Sequence, residues 1–336
     1  MSDDDPTKVA IACQGGGSHT AFTAGVLRRL LRERPSDVEI VGLSGTSGGA
    51  ICALAAWYGL LTDGEGRAVD LLESIWDDLA ADGLAERSAN ALLVWTSRAL
   101  ESGLPIPQFS PYHVPTAALG RDRLRDVLEA HVRFDRLPAL VDSASPTLLI
   151  GTVDVNNGEF KTVVNEGITA DAVLASAAVP TLFEAVRLER TAPHLDPDVY
   201  DGDLHWDGLF SQNPPIREFL DVPDVAEEKP DEIWIVRINP KERRGEPTSL
   251  EEIADRRNEL AGNLSLEQEV GFIEQVNEWL RADPPKLRGE YKPIEIRWIE
   301  LDERLSTASK LDRSPAFLRD LMAEGDARAE RFLDRR

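Results

Sequence analysis

Two short apolar runs, each ending in a glycine-rich turn and each followed by a helix-forming run, stand within the first sixty residues of the chain. Val9, Ala10, Ile11, Ala12 and Cys13 lead into Gln14, Gly15, Gly16, Gly17 and Ser18, after which Ala21, Val26, Leu27, Leu30 and Leu31 recur at helical spacing. Glu39–Leu43 leads into Ser44–Gly49, and the alanine-rich run Ala50–Trp57 follows. A repeated strand–turn–helix unit joins parallel strands through right-handed crossovers, which place helices on both faces of a sheet. The expected fold class is therefore α/β, a three-layer α/β/α arrangement.

The later sequence adds antiparallel pairing. Thr147–Val155 and Glu159–Val164 flank Asn156, Asn157 and Gly158, a hairpin signal in which Asn-Gly supplies the positive φ angles of a tight turn. The central sheet is thus expected to be mixed and mostly parallel. Glu232–Ile238 and Ile294–Ile299 read as further strands, and Asp203–Gly208 as a short strand ending in a glycine turn. Residues 68–132 are mainly helical, with Leu71, Leu72, Ile75, Trp76 and Leu79 on one stripe and Leu124, Val127, Leu128 and Val132 on another. Between the stripes, Leu104–Pro111 reads as irregular chain, either beside a pocket or as a plain surface connection. Ser249–Leu280 reads as a long helix broken at Gly262, and Arg313–Arg336 as a charged terminal helix. No repeat or long linker forces a boundary, so a single domain over residues 1–336 is expected.

Composition narrows the function classes. Sixty Asp plus Glu against 37 Lys plus Arg give a formal charge of -23, which repels nucleic-acid phosphates and anionic headgroups, so no nucleic-acid partner is expected. The two cysteines, Cys13 and Cys52, form neither a disulfide framework nor a zinc-ligand spacing, and no metal is expected. The acidic start lacks the basic segment and apolar run of an export signal, and no stretch reaches the roughly 20 apolar residues of a membrane span. A cytoplasmic location is the resulting expectation.

Gly45, Thr46, Ser47, Gly48 and Gly49 match the G-x-S-x-G nucleophile elbow, in the strand-to-helix context the motif requires. A serine there sits in strained backbone, small neighbours let the turn close, and the helix N-terminus favours developing negative charge. A glycine-rich helix cap with Thr46 or Ser47 as N-cap is the plain alternative. Backbone amides at Gly15, Gly16 and Gly17 can turn toward one point as an oxyanion hole. The same glycines nearly match a dinucleotide-binding fingerprint, but Thr20 holds the third glycine's place and no acidic residue ends the second strand. For the base, none of His19, His113, His131, His194 and His205 follows a late strand, although His194 and His205 stay open. Asp207, before Gly208, is the better candidate, because partial burial raises a carboxylate's proton affinity.

The triple glycine at 15–17, the elbow at 45–49, Ala175–Pro180 and Trp206, Asp207 and Gly208 occur in an order and spacing that resemble a patatin-like phospholipase over roughly residues 8–220. Asn213, Pro214 and Pro215 also look like that family's chain after the Asp-Gly pair. The resemblance implies a catalytic core over 8–220, a C-terminal extension over 221–336 packed on it, and a serine acyl-hydrolase acting on lipid esters without a cofactor. It further implies an oxyanion hole at Gly15, Gly16 and Gly17, an elbow framed by Gly45, Gly48 and Gly49, and a Ser47–Asp207 dyad. Two departures stand out: His19 and Thr20 replace the usual basic residue and glycine, and Leu209 follows the Asp-Gly pair. An intracellular polyester or small-ester hydrolase and a non-catalytic binding module are the competing expectations. Leu92, Leu93, Trp95, Leu104, Ile106 and Phe109 are expected as core, with an acyl channel or contact with a lipid surface as the alternative.

Only seven basic residues are lysines, and an acid-rich, lysine-poor surface is suited to salt, where screening relieves its self-repulsion. Thermal melts in about 0.1 M and about 2 M KCl test this: the melting temperature should rise with KCl, and a flat response would leave the charge as a solubility device only.

Overall fold

The computed structural model describes residues 5–107, 109–222, 225–282, 287 and 289–336. Gln108 of the proline-rich break and Met1–Asp4 of the acidic start lie outside the described residues. In chain order the elements are β1 (Thr7–Cys13), α1 (Ala21–Arg32), β2 (Val38–Gly45), α2 (Gly48–Thr62), α3 (Gly64–Leu79), α4 (Leu84–Glu101), α5 (Pro115–His131) and α6 (Leu137–Leu140). There follow β3 (Thr147–Asp154), β4 (Phe160–Val164), α7 (Ala170–Ser176), β5 (Val186–Glu189), β6 (Asp201–Asp207), β7 (Glu232–Arg237), α8 (Leu250–Arg281), β8 (Glu295–Glu300) and α9 (Pro315–Leu333).

The eight strands form one sheet in the order β5-β6-β3-β2-β1-β7-β8, with β4 paired to β3. The β1–β2, β1–β7, β2–β3 and β7–β8 pairs are parallel, whereas β3–β4, β3–β6 and β5–β6 are antiparallel. The sheet is therefore mixed and mostly parallel, as its sequence implies. Side chains that alternate along the central strands divide the core in two. Val9, Ile11 and Cys13 of β1 and Trp234 and Val236 of β7 join the larger cluster with α1, α2 and α3, while Ala10, Ala12, Ile233 and Ile235 face Leu266, Val270 and Ile273 of α8. Helices thus cover both faces, giving the three layers.

β3 fixes the position of the chain ends that matter. Its residues 147–150 pair with β2 and 149–153 with β4, so β2 and β4 occupy opposite edges. Residues 152–154 pair with β6 while β4 is still in place, so β6 lies on the edge that β2 has just left. Gly45, the last residue of β2, is opposite Ile150, and Asp207, the last residue of β6, is opposite Thr152. Two strands running in opposite directions therefore end facing each other, about 7 Å apart along β3.

Two readings of the sequence need correction. α8 runs unbroken through Gly262, whose missing side chain leaves room for the amides of Asn239 and Asn213, 2.8 and 3.3 Å from where a Cβ would stand. The glycine serves close approach rather than a break. The expected core residues Leu92, Leu93 and Trp95 are exposed, because α4 buries only Asn90, Val94 and Ala99, and Leu104 and Phe109 on the irregular chain after α4 are exposed as well. Asn90 ties that helix to the distant chain through Asp312 and the Arg313 amide.

α9 closes the fold against α1, where Arg28 meets Asp326 at 3.0 Å. A Cβ on Gly325 would stand 2.0 Å from the Phe22 carbonyl oxygen, and one on Gly25 2.0 Å from that of Met322. Gly271 of α8, by contrast, has open space around it. Calorimetric melts should separate the two cases: Gly325→Ala should cost about 1–3 kcal/mol by overpacking, whereas Gly271→Ala should gain about 0.5–1 kcal/mol from helix propensity.

Candidate active site

The elbow forms where β2 leaves the sheet. Ser47 has φ 57° and ψ -128°, a left-handed conformation that costs a non-glycine residue about 1–3 kcal/mol. The turn holds it there from several sides. The Ser47 amide donates to Ser176 Oγ at 3.0 Å, and Ser176 Oγ donates in turn to the Gly151 carbonyl at 2.7 Å. Thr46 Oγ1 donates to the Gln212 carbonyl at 2.6 Å. A Cβ on Gly45 would meet the Gly49 carbonyl oxygen at 2.4 Å, and one on Gly49 the Cys13 carbonyl oxygen at 2.2 Å, so the turn closes only with glycine there.

The triple-glycine loop lies directly against this elbow. A Cβ on Gly15 would stand 2.9 Å from Ser47 Cβ, and one on Gly48 2.9 Å from the Gly17 carbonyl oxygen. The Gly15 amide is already committed, donating to Asn213 Oδ1 at 2.7 Å. Among the described residues, the amides of Gly16 and Gly17, and that of Gly48 at the start of α2, have no acceptor within the protein. Three donors are thus unspent around the serine. Gly15 contributes closeness instead: its bare Cα lets the loop touch Ser47.

Asp207 is 1 % exposed and ends β6 beside the elbow, with Gly208 packed so that a Cβ would meet Thr46 Cγ2 at 3.0 Å. Its Oδ1 accepts the Leu209 amide at 2.8 Å, while Oδ2 is buried without an aligned hydrogen bond. Burial pushes the carboxyl up from an ordinary 3.8 to about 7; the Ser47 hydroxyl, the Leu209 amide and the Lys310 charge pull the other way. No hydrogen bond joins the Ser47 hydroxyl to Asp207 among the described residues; catalytic hydrogen bonds commonly align only once substrate is bound.

The two histidines left open as bases have other settings. His194 is exposed, and His205 lies on β6 opposite Asp154. His19 is buried, with Nε2 2.8 Å from Ser309 Oγ and its ring edge-on to Phe317.

Several residues that order the site carry no motif. Gln14 is fully buried and uses its whole amide: Nε2 donates to the Gly262 carbonyl and Asn263 Oδ1, and Oε1 accepts the amides of Ile238 and Asn239. Asn213 bridges the Gly15 amide to the Gly262 carbonyl. Lys310 donates to Asn239 Oδ1 at 2.7 Å and to Asn258 Oδ1, and Asn239 Nδ2 reaches the Gly15 carbonyl at 3.4 Å. The Lys310 backbone also presses on the loop, its carbonyl oxygen 2.4 Å from where a Gly17 Cβ would stand. Thr20 Oγ1 donates to the Gly17 carbonyl at 2.5 Å. Gln14 and Thr20 flank the triple glycine, Ser176 lies inside the Ala175–Pro180 segment and Asn213 just after the Asp-Gly pair, whereas Asn239 and Lys310 fall outside every stretch singled out in the sequence.

Comparison with known proteins gives the same direction. The sequence pattern of the patatin-like phospholipase family matches residues 11–220, more than half of the 336-residue chain. Among solved structures, the chain is similar to VipD from Legionella pneumophila, with 15 % identity, a TM-score of 0.44, and coverage of 98 % of this chain and 67 % of that one. It is also similar to the type III effector ExoU, known from Pseudomonas aeruginosa, with 15 % identity, a TM-score of 0.36, and coverage of 98 % and 54 %. The chain thus spans about half to two thirds of the length of these proteins. No curated protein matches it in sequence. With the family's pattern running from the first strand past the Asp-Gly turn, the chain belongs to the patatin-like phospholipase family, a family of hydrolases.

Proposed function

We propose that the protein hydrolyses carboxylic esters of lipids through a Ser47–Asp207 dyad and an acyl-enzyme intermediate. The observation that carries this reading is the meeting of β2 and β6 on one edge of β3, which brings the elbow serine and a buried carboxylate to neighbouring positions. In the first half-reaction Ser47 Oγ attacks the ester carbonyl carbon while Asp207 takes the hydroxyl proton. The carbonyl π electrons move to oxygen, which the unspent amides of Gly16, Gly17 and Gly48 are available to hold. Collapse of the tetrahedral species breaks the bond to the alcohol oxygen, which leaves with the proton from Asp207. Water then attacks the acyl-serine by the same path, returning Ser47 and releasing the acid.

A lipid substrate is favoured over a small ester by the apolar side chains on and after α4. Leu92, Trp95, Leu104 and Phe109 are 64, 60, 53 and 72 % exposed, a surface suited to peripheral contact with acyl chains. Net charge of -23 favours neutral or zwitterionic lipid surfaces over anionic ones.

A fluorophosphonate probe should label the wild type and not Ser47→Ala; an unlabelled, folded wild type would instead support a non-catalytic module. Ser47→Ala and Asp207→Asn should each lower kcat at least about a thousandfold on neutral lipid esters. Full turnover in Asp207→Asn would move the base role to a histidine. Ser47→Gly should be as inactive as Ser47→Ala yet more stable by about 1–3 kcal/mol, because it relieves the positive φ.

The Asp207 carboxyl also sets a pH profile. The base is active when ionised, so kcat/KM should rise through an apparent pKa of about 7 and level off above it. The sign for stability is opposite: a carboxyl raised from 3.8 to about 7 costs nothing while protonated below pH 4, and its penalty grows until the pH passes about 7. Asp207→Asn should therefore stabilise the fold more at pH 8 than at pH 4, as read by denaturant melts at both.

A further inference from the structure

Asp154 ends β3 directly opposite His205 of β6, and Asp201 starts β6. One ligand atom from each of these three side chains lies within 4.8 Å of the other two. Asp154 and His205 are fully buried and Asp201 is exposed, so the cluster is closed on the protein side and open to water on one side.

The hydrogen bonds around the cluster distinguish it from an ordinary acidic turn. Asp154 Oδ1 accepts the amides of Asn156 and Asn157 at 2.7 and 3.2 Å, and Asp201 Oδ1 accepts the Asp203 amide at 2.9 Å. Each carboxylate is thus oriented by one oxygen. Asp154 Oδ2 is buried and has no hydrogen-bond partner, and the same holds for both ring nitrogens of His205. A neutral imidazole carries a proton on one nitrogen and a lone pair on the other, so at least one buried donor and two buried acceptors stand together unsatisfied. Such groups are rare in folded proteins unless an ion or water completes them. Lys161, the nearby cation, makes its ion pair with Glu159 at 2.9 Å.

We infer that Asp154, Asp201 and His205 hold a divalent transition-metal ion of the Zn²⁺ or Mn²⁺ class, with water completing its shell on the Asp201 side. An imidazole between two carboxylates suits these ions better than Mg²⁺ or Ca²⁺, which take oxygen ligands. The ligands come from three positions spread over about fifty residues, so no local spacing announces them, and the expectation of no metal rested on cysteine spacing and family resemblance alone. His205 and Asp207 are two residues apart on one strand and project to the same face, about 7 Å from each other. The ion therefore fastens the strand that carries the candidate base without entering acyl transfer.

Binding is measured without turnover, so this inference stands or falls separately from the hydrolase reading. The full chain, stripped with a chelator, is titrated calorimetrically with ZnCl₂ and separately with MnCl₂. Saturable one-to-one binding and a rise in melting temperature are expected, with Mg²⁺ and Ca²⁺ much weaker. Asp201→Asn, an exposed change that leaves the core intact, should weaken binding by about tenfold or more. Pulsed electron paramagnetic resonance of the Mn²⁺ complex should show one coupled imidazole nitrogen, lost in His205→Gln. Should that variant fail to fold, the nitrogen coupling of the wild type and the affinity of Asp201→Asn decide. No saturable binding of either ion to folded wild type, or unchanged affinity in both Asp201→Asn and Asp154→Asn, would overturn the inference; an ordered water would then be what satisfies the cluster.

Discussion

The arrangement depends on one gap in a hydrogen-bond ladder. On the edge of β3, pairing with β2 stops at Ile150 and pairing with β6 starts at Thr152, so Gly151 is the residue between the two. Its carbonyl accepts the Ser176 hydroxyl, which in turn accepts the Ser47 amide. A Cβ on Gly151 would meet the Gln212 carbonyl oxygen and Thr46 Oγ1, each at 3.0 Å. A residue without a side chain thus lets the elbow and the chain after β6 close over it. If β6 slipped by one residue, Asp207 would turn to the other face of the sheet, because strand side chains alternate. The sheet register consequently specifies the site, and no single loop does so alone.

Local pattern was enough to find most elements, because strand and helix periods and glycine turns are written in neighbouring residues. The hairpin at Asn156, Asn157 and Gly158 is an example, although of the Asn-Gly pair only Gly158, at φ 78°, takes the positive φ expected of both. The elbow and the Asp-Gly turn were legible for the same reason. What escaped were decisions taken between distant segments. Gln14 gives no sign in sequence that its amide joins β1 to α8 and to the chain after β7. Gly262 resembles a helix break because a glycine lowers helix propensity, and only packing against Asn213 and Asn239 reveals its use. Leu92, Trp95 and Phe109 resemble core because hydrophobicity does not state which apolar residues find a partner.

The glycine loop departs from its family's usual pattern at His19 and Thr20, and the structure supplies a physical account of both. Thr20 is not spare, since its hydroxyl holds the Gly17 carbonyl while Gly48 packs against it. His19 brings no exposed charge: it is buried, its proton affinity is lowered by burial and by Lys310, and its ring is fixed by Ser309 and Phe317. The cation near the loop comes instead from Lys310, almost three hundred residues downstream. Burial lowers its pKa to about 8, opposed by the charges of Glu259, Asp255, Asp207 and Glu101. Strands β7 and β8, helix α8 and Lys310 all lie beyond residue 220, so the chain past the family's matched region helps build the loop rather than merely covering it.

The same interactions that build the site make it costly to the fold. Ser47 is held in a left-handed conformation, and Asp207 is buried with one oxygen unsatisfied. Neither is a choice that stability alone would make. Both are tolerated because the surroundings are over-determined: the elbow is tied through Ser176 and Thr46, and the aspartate through Leu209 and its strand. The fully buried faces of β1 and β7, packed on both sides, provide the rigid frame in which such local penalties persist. In the proposed mechanism that arrangement supplies a carboxyl whose proton affinity lies near neutrality, and a base of that strength accepts a proton from a serine more readily than an ordinary surface aspartate does.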